Sequence, residues 1–291
     1  MAAPTPEVST RVASLAELRD VAIAREPDRY FAAALAPAVL RYDLVVLAAF
    51  AAEISRVPGL VREPLAGEIR LQWWRDALIG SGGDEAAAGH PVAMPMRATM
   101  ARFALPGAAV EGVIDAQADA LHGERPADEA ALQARLAAGE GGLFRLAAHI
   151  CAGTETDDDP QTAERAGLAY GLARALAHAR SDGAAWLLIP RSLVPDEDLA
   201  PEGDSDALED AHVAPALGTL GRMARAAHAD VAADVRQMSR RRRLAFLPLA
   251  MVRPNLRALE KGLNQLGARP SDALPLGRLV RIGWAHASGR V

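Results

Sequence analysis

The chain contains 291 residues, of which 51% are hydrophobic and 4% aromatic, and its formal net charge at pH 7 is −5. This length allows one large domain or two ordinary ones, and the acidic balance argues against nucleic-acid binding, so we expect no nucleic-acid partner. Alanine, leucine, arginine and glutamate are abundant, whereas β-branched and aromatic residues are too sparse for a sheet. We therefore predict an all-α protein.

The single cysteine, Cys151, excludes an internal disulfide and a cysteine-based metal site. Its neighbours are apolar and helix-forming, which predicts a small buried core residue. The amino-terminal residues lack the apolar stretch of a secretory signal, and no apolar run is long enough to span a membrane. These features favour a cytoplasmic protein, with peripheral contact at the inner membrane as an open alternative.

No internal repeat or domain linker is evident along the chain. We predict a disordered amino terminus over residues 1–10, one helical domain over residues 11–273, and a loosely attached tail over residues 274–291. The glycines at 139, 141 and 142 predict either close helix packing or a helix break, because glycine is unfavourable inside a helix. Asp159 stands directly before Pro160, where a helix-capping role is favoured over a metal-binding one.

The first informative segment is an apolar run, Leu44–Ala52, between two acidic residues. A membrane span needs about 20 such residues, so the run predicts a buried core helix. Glu53, Ser55 and Arg56 follow within one turn. Glu53 and Arg56 share a helix face, which suggests that the helix there passes from the core to a polar environment.

A second helix is predicted to begin at Pro64 and to end before the glycines that start at position 80. Most of its surface is apolar and includes Trp73 and Trp74, with Arg70 the exception. One polar stripe remains and consists of Glu68, Gln72, Arg75 and Asp76. The stripe is interpreted as a solvated face or, as the less favoured alternative, the lining of an internal pocket.

Motifs for chemistry are scarce. No serine or cysteine has the context of a nucleophile, the histidines lack ligand spacing, and no phosphate-binding glycine loop is present, so no catalytic residue and no metal ligand is predicted. His178, on an apolar helix near Arg174, is interpreted as a structural or surface histidine. The run Arg240–Arg243 is typical of a solvated turn, and an anionic lipid surface or acidic partner is the alternative.

Several segments nevertheless resemble the squalene/phytoene synthase family. They occur in the family's order and at its intervals over roughly residues 28–250: LAAFAAEISRV (47–57), EPLAGEIRLQWWRDAL (63–78), HPVA (90–93), GLAYGLARAL (167–176) and LLIP (187–190). The resemblance implies an all-α isoprenoid synthase fold, a single helical domain around a central cavity. It gives Phe50, Trp73, Trp74 and Pro190 the role of structural motif residues. It also implies head-to-head condensation of prenyl diphosphates with magnesium held by two DxxxD motifs.

Both aspartate motifs are missing here. The first motif of the family begins five residues after the phenylalanine, and Phe50 places its positions at Ser55 and Gly59. For the second motif, counting back from Pro190 gives Ala177 and Ser181, and aligning on Arg174 gives Ala175 and Ala179. These losses resemble the degenerate branch that includes the mitochondrial phytoene-synthase-like assembly factor of respiratory complex I.

Two functions remain open from the sequence. In the favoured one the protein is non-catalytic, needs no cofactor, and binds an isoprenoid or lipid, or a complex I subunit or assembly intermediate. In the alternative it is a prenyltransferase acting on farnesyl or geranylgeranyl diphosphate with magnesium, and atypical residues bind phosphate: Arg41, Arg56, Arg70, Arg174 and His178. Convergence of Glu53, Arg56, Gln72 and Arg174 on one cavity would support ligand binding, whereas inter-helix salt bridges would explain these residues structurally.

Overall fold

A computed structural model describes residues 14–152, 159–178, 183–198, 213–264 and 275–291, and all regular structure in these segments is helical, as predicted. Their α-helices, in chain order, are α1 (Leu15–Arg25), α2 (Pro27–Ala34), α3 (Ala38–Ser55), α4 (Val57–Leu60), α5 (Pro64–Leu78), α6 (Gly83–Ala87), α7 (Ala93–Phe103), α8 (Gly107–Asp115), α9 (Ala118–Leu121), α10 (Glu129–Leu136), α11 (Gly142–Ala152), α12 (Pro160–His178), α13 (Val213–Gln237), α14 (Val252–Asn264) and α15 (Pro275–Ser288). A π-helical turn covers Ala137–Gly141, and 3₁₀ segments cover Gly183–Leu188, Asp196–Asp198 and Arg242–Met251.

Helix α3 forms the centre of the core. The predicted apolar run, Leu44–Ala52, is buried over its whole length, because α1, α2, α7 and α11 pack around it. Phe50 is fully buried and meets Trp74 of α5 edge to face, with 5.7 Å between ring centroids. The prediction of a core helix is therefore confirmed. Within the described residues, no helix has the length and apolar character needed to cross a membrane.

Two local predictions from the sequence hold in the structure. Cys151 is fully buried in α11, where burial raises the pKa of its thiol to about 12. Asp159 caps α12, since its carboxylate accepts a hydrogen bond from the Gln161 backbone N–H at 3.0 Å and another from the Thr162 hydroxyl. Both outcomes follow from residues close in sequence, which is why the local pattern predicted them.

The glycine cluster at 139–142 forms a π-helical turn that α12 approaches at backbone contact distance. A β-carbon added at Gly167 of α12 would lie 2.6 Å from the Gly141 α-carbon and still closer to its backbone nitrogen. Real β-carbons do not approach other atoms so closely, so position 167 needs glycine, whereas a β-carbon at Gly141 would meet its nearest neighbours at a tight 3.2 Å. The contact fixes Glu140, which precedes Gly141, beside α12.

Helix α15 changes the interpretation of the chain's end. Its buried residues, Ile282 and Ala285, pack on the 3₁₀ segment Arg242–Met251, and the helix also contacts α2. Arg278 donates a hydrogen bond to the buried carboxylate of Asp28 at 2.8 Å. The expectation of a loosely attached tail is wrong for Pro275–Ser288, because α15 buries an apolar face and an ion pair. Residues 1–10 lie outside the described segments.

We expect Gly167→Ala to lower the free energy of unfolding by about 3 kcal/mol, because the added methyl group must push α12 away from the π-helical turn. Gly112→Ala is the matched control: its new β-carbon would have its nearest neighbour at 3.6 Å, an ordinary contact. Urea denaturation followed by circular dichroism measures both. Equal midpoints for the two variants would show that the close approach does not constrain the fold.

Candidate functional site

A cavity of about 740 Å³ lies between α3, α12, the α1–α2 junction and the π-helical turn. Ala51, Ile54 and Ser55 of α3 form part of one wall. Gly171, Arg174 and Ala175 of α12 belong to another. These two segments are the ones at which the sequence resemblance locates the two aspartate motifs. Ser55 and Ala175 stand at motif positions, and neither side chain carries a carboxylate.

Three charged residues of the cavity lining form a closed ring of ion pairs with the buried Arg29. We call this ring the charge cycle: Glu26, Arg29, Glu140 and Arg174. Glu26 accepts hydrogen bonds from Arg29 at 2.5 Å and from Arg174 at 2.6 Å. Glu140 pairs with Arg29 at 2.5 Å and with Arg174 at 3.6 Å. Each carboxylate thus has two guanidinium partners, and the four charges sum to zero.

A second ion pair borders the charge cycle. Asp28 is almost fully buried and accepts hydrogen bonds from the Tyr170 hydroxyl at 3.0 Å and from Arg278 at 2.8 Å. Arg29 also lies over the rings of Tyr170 and Phe144, with its guanidinium carbon 5.0 and 5.3 Å from the two centroids. All three carboxylates that line the cavity, those of Glu26, Asp28 and Glu140, are therefore neutralised by arginine.

Burial and neighbouring charges together shift the pKa values of Glu26 and Tyr170. Burial raises the pKa of the Glu26 carboxyl, but Arg174 and Arg29 more than offset it, so the pKa lies below its usual value. Burial, reinforced by Asp28, raises the pKa of the Tyr170 hydroxyl well above its usual value. Near neutral pH, Glu26 is therefore charged and Tyr170 is a neutral hydrogen-bond donor.

The residues predicted from the sequence do not converge on this cavity. Of that set, only Ser55 and Arg174 line it. Glu53 pairs with Arg56 at 3.0 Å within the end of α3, and burial raises the pKa of the Glu53 carboxyl. The Ser55 hydroxyl donates to the Ala52 carbonyl at 3.2 Å. Arg174 makes the inter-helix salt bridges expected of a structural residue.

The remaining members lie on the surface or outside the described side chains. Arg70 and Gln72 are exposed on α5, where Gln72 donates to Asp76 at 2.8 Å. Arg41 is exposed and donates to the Ala36 carbonyl. His178 ends α12, and its side chain is not among those described. The polar stripe of α5 thus faces solvent, as favoured from the sequence. Of the set expected to bind phosphate (Arg41, Arg56, Arg70, Arg174 and His178), the described side chains of Arg41, Arg56 and Arg70 do not line the cavity, whereas that of Arg174 does.

The family-motif residues have packing roles in the structure. Trp73 and Trp74 contact each other and the imidazole of His90, with ring centroids 4.9 to 5.1 Å apart. The His90 Nδ1 atom accepts hydrogen bonds from the backbone N–H groups of Val92 and Ala93 at the start of α7. Burial, and then Arg56, lower the pKa of His90, which keeps this nitrogen an acceptor.

Pro190 is buried beneath the guanidinium of Arg125. That guanidinium donates to the carbonyls of Ile189, Pro190 and Val194 and pairs with Asp196 at 2.7 Å. The end of the LLIP segment is therefore bound by a buried arginine that sequence reasoning did not identify, and Arg135 donates to the Leu187 carbonyl at its start.

Sequence reasoning also missed most of the charge cycle. Its first two members stand in Glu26-Pro27-Asp28-Arg29, a dense polar run that matches no known motif. The density of charge beside Pro27 was the available signal. The sequence around Glu140 contains no comparable signal, since a lone acidic residue between glycines is typical of an exposed turn.

The cavity does not offer the ligands that magnesium prefers. That ion takes about six oxygen ligands in octahedral geometry and uses carboxylates as anchors. In the described part of the chain, no group of three or more histidine, cysteine, aspartate or glutamate side chains could hold a metal ion. The carboxylates that line the cavity are already bound to arginine, so the residues present do not fit the magnesium site of the family.

We expect Glu26→Gln to lower the free energy of unfolding at pH 7 by about 3 kcal/mol, because it leaves Arg29 and Arg174 with an uncompensated buried charge. Since the folded-state pKa of Glu26 is depressed, its contribution is present above the unfolded pKa near 4.5 and is lost as pH falls through the folded value. The difference between variant and parent should therefore shrink in acid. Urea denaturation at pH 7 and below pH 4 measures it.

Asp84→Asn is the control for this prediction, because it removes the exposed partner of Arg97, whose ion pair contributes less than about 1 kcal/mol. Equal losses of stability in the two variants at pH 7 would contradict the structural role assigned to the charge cycle.

Comparison with solved structures supports the fold. The crystal structure of the squalene synthase HpnC from Alicyclobacillus acidocaldarius superposes with a TM-score of 0.66 and 16% sequence identity, covering 86% of this chain and 94% of that one. A dehydrosqualene synthase in complex with a ligand gives a TM-score of 0.69 and 13% identity, covering 94% and 95%. At these identities the likeness concerns the fold alone, which is the predicted isoprenoid synthase architecture.

No curated protein matches the chain in sequence. A sequence model of the family described as squalene/phytoene synthase matches residues 24–278. That range includes α3, α12 and the helices that carry the charge cycle. Because the match covers most of the chain, this protein belongs to the squalene/phytoene synthase family.

Proposed function

We propose that this protein is a non-catalytic family member that keeps the cavity to bind an apolar chain, an isoprenoid or a lipid. The observation that carries the proposal is the charge cycle. Ionising a prenyl diphosphate requires cations clamped on its oxygens, and in this fold magnesium on free carboxylates supplies them. Here Glu26, Asp28 and Glu140 are bound to arginine, and the motif positions Ser55 and Ala175 have no carboxylate.

Direct binding of a diphosphate by two of the arginines that line the cavity, Arg174 and Arg278, is disfavoured by the same geometry. Arg174 is held by Glu26 and Glu140, and Arg278 is held by Asp28. A diphosphate would have to displace a buried carboxylate from each guanidinium, which leaves that carboxylate unpaired in the protein interior. Uncharged ligands avoid this cost.

The rest of the cavity suits such a ligand. Apolar side chains dominate its walls away from the charge cycle. They come from α1, α2, α3, α8, α11 and the 3₁₀ segment before Pro190: Ile23, Phe31, Ile54, Val113, Leu143, Leu187 and Leu188. A volume of about 740 Å³ falls in the range of small-molecule sites, which are mostly apolar with a few polar groups.

We expect farnesol to bind more tightly than farnesyl diphosphate, because it displaces no buried carboxylate, and we expect no effect of magnesium and no condensed product. Isothermal titration with and without magnesium, followed by product analysis, measures this.

Ala120→Phe, which adds an aromatic ring to the cavity lining, should weaken farnesol binding by about tenfold or more. Ala101→Phe, on the exposed side of α7, is the control. Magnesium-dependent binding of farnesyl diphosphate with a condensed C30 product would overturn the proposal of a non-catalytic protein and support the prenyltransferase alternative.

A second candidate is a protein-binding role, with a respiratory complex I subunit or assembly intermediate as the partner. Two things favour it: the sequence likeness to the complex I assembly-factor branch, and an apolar patch outside the cavity. Leu60, Leu65 and Ile69 are 50, 65 and 64% exposed along α4 and α5. Exposed apolar patches often mark protein contacts.

We expect a tagged chain purified from its own cells to retain complex I subunits, identified by mass spectrometry, and Leu65→Ser with Ile69→Ser to lose them. Ala101→Phe should retain them. Two results would count against this role. One is equal recovery of complex I subunits with the parent chain and with the Leu65→Ser, Ile69→Ser variant; the other is that the parent chain retains no complex I subunit. The farnesol titration is independent of that result, so the two candidates can be separated.

A further inference from the structure

Helix α15 exposes an apolar face opposite the one it buries. Leu276, Val280 and Trp284 are 72, 69 and 71% exposed. Their spacing of four residues aligns them along one side of the helix. Ile282 and Ala285 point the other way, into the core. The exposed stripe is therefore additional to the surface that the fold needs.

The stripe is presented by a fixed helix. Arg278 pairs with Asp28, which is buried on α2, and Ile282 packs against the 3₁₀ segment Arg242–Met251. An exposed tryptophan on a rigid helix loses little conformational freedom when it meets another surface. This makes the stripe a better contact surface than an unattached tail with the same sequence.

Arginines lie on both sides of the stripe. Arg240 and Arg243 border a small cleft with Ala285, His286 and Gly289 of the helix and its end, and together with burial they lower the pKa of His286. Arg281 is exposed on the helix itself. Residues 275–291 contain no aspartate or glutamate. The apolar stripe thus sits in a positively charged surrounding.

The positive charge around the stripe indicates which kind of surface binds there. In a symmetric dimer formed through this face, the arginines of one copy would approach those of the other, which is repulsive. An anionic bilayer surface attracts the same arginines, and its boundary between headgroups and acyl chains accommodates Trp284, Val280 and Leu276. Apolar residues with tryptophan on one side and arginine beside them are typical of helices that lie on membranes.

We propose that the α15 face, formed by Leu276, Val280, Trp284, Arg240, Arg243 and Arg281, docks the protein on an anionic lipid bilayer. The helix lies parallel to the bilayer, with Trp284 at the level of the lipid headgroups. This inference does not depend on what the cavity binds. The sequence alone suggested that Arg240–Arg243 could contact an anionic lipid surface. The structure adds the apolar residues of α15 that would contact the same surface.

The test is vesicle flotation with the full chain. It should float with vesicles that contain phosphatidylglycerol and not with pure phosphatidylcholine, and added salt should reduce the bound fraction because it screens charge. Val280→Ser with Trp284→Ser should reduce binding about tenfold or more, as should Arg240→Glu with Arg281→Glu. Val39→Ser, at an exposed apolar position of α3, should leave it unchanged. Thermal unfolding verifies that each variant folds.

A second readout locates the contact. Lipids brominated near the headgroup should quench the fluorescence of the parent chain more than that of Trp284→Phe, which keeps an aromatic side chain but loses the exposed indole. Equal quenching, or equal flotation of the parent and the α15 variants, would overturn the proposal. So would a concentration-dependent dimer that Trp284→Ser abolishes in the absence of vesicle binding, because the occupant would then be a second copy.

Discussion

The fold depends on a charged ring at its centre. Glu26 and Arg29 lie at the junction of α1 and α2, Glu140 lies in the π-helical turn and Arg174 lies in α12. The charge cycle therefore joins three parts of the chain that are separate in sequence. Buried charges are tolerated only when they are paired and hydrogen-bonded, and here every member has two opposite partners. The ring therefore restricts the relative placement of these helices in a way that apolar packing alone would not.

The backbone contact between Gly141 and Gly167 supports the same arrangement. It brings the π-helical turn close enough to α12 for Glu140 to reach Arg174. π-Helical turns inside longer helices often occur at functional positions, because they redirect one side chain without breaking the helix. In this protein the redirected side chain completes the neutralisation of the cavity, where catalytic relatives would need free carboxylates for metal.

The fold was largely predictable from sequence, whereas the site was not. The burial of Leu44–Ala52 and the Asp159 cap depend on residues within a few turns of each other, so periodicity and helix-end chemistry sufficed. The charge cycle joins residues more than a hundred positions apart, and no local pattern encodes such pairs. Helix α15 was misjudged for a different reason. Its two apolar sides blur the amphipathic pattern that identifies a packed helix.

The neutralised cavity also affects how the sequence can evolve. An aspartate introduced at Ser55 or Ala175 would lie in the same cavity as Arg174, whose charge disfavours a bound cation. Removing Arg174 would leave Glu26 and Glu140 with Arg29 as their one shared partner. One buried charge would then be uncompensated, at a cost of about 3–5 kcal/mol, a large share of the 5–15 kcal/mol that typically holds a domain together. A change that frees these carboxylates for another ligand by removing Arg174 alone therefore lowers stability. The charge cycle thus restricts which single substitutions the cavity can accept.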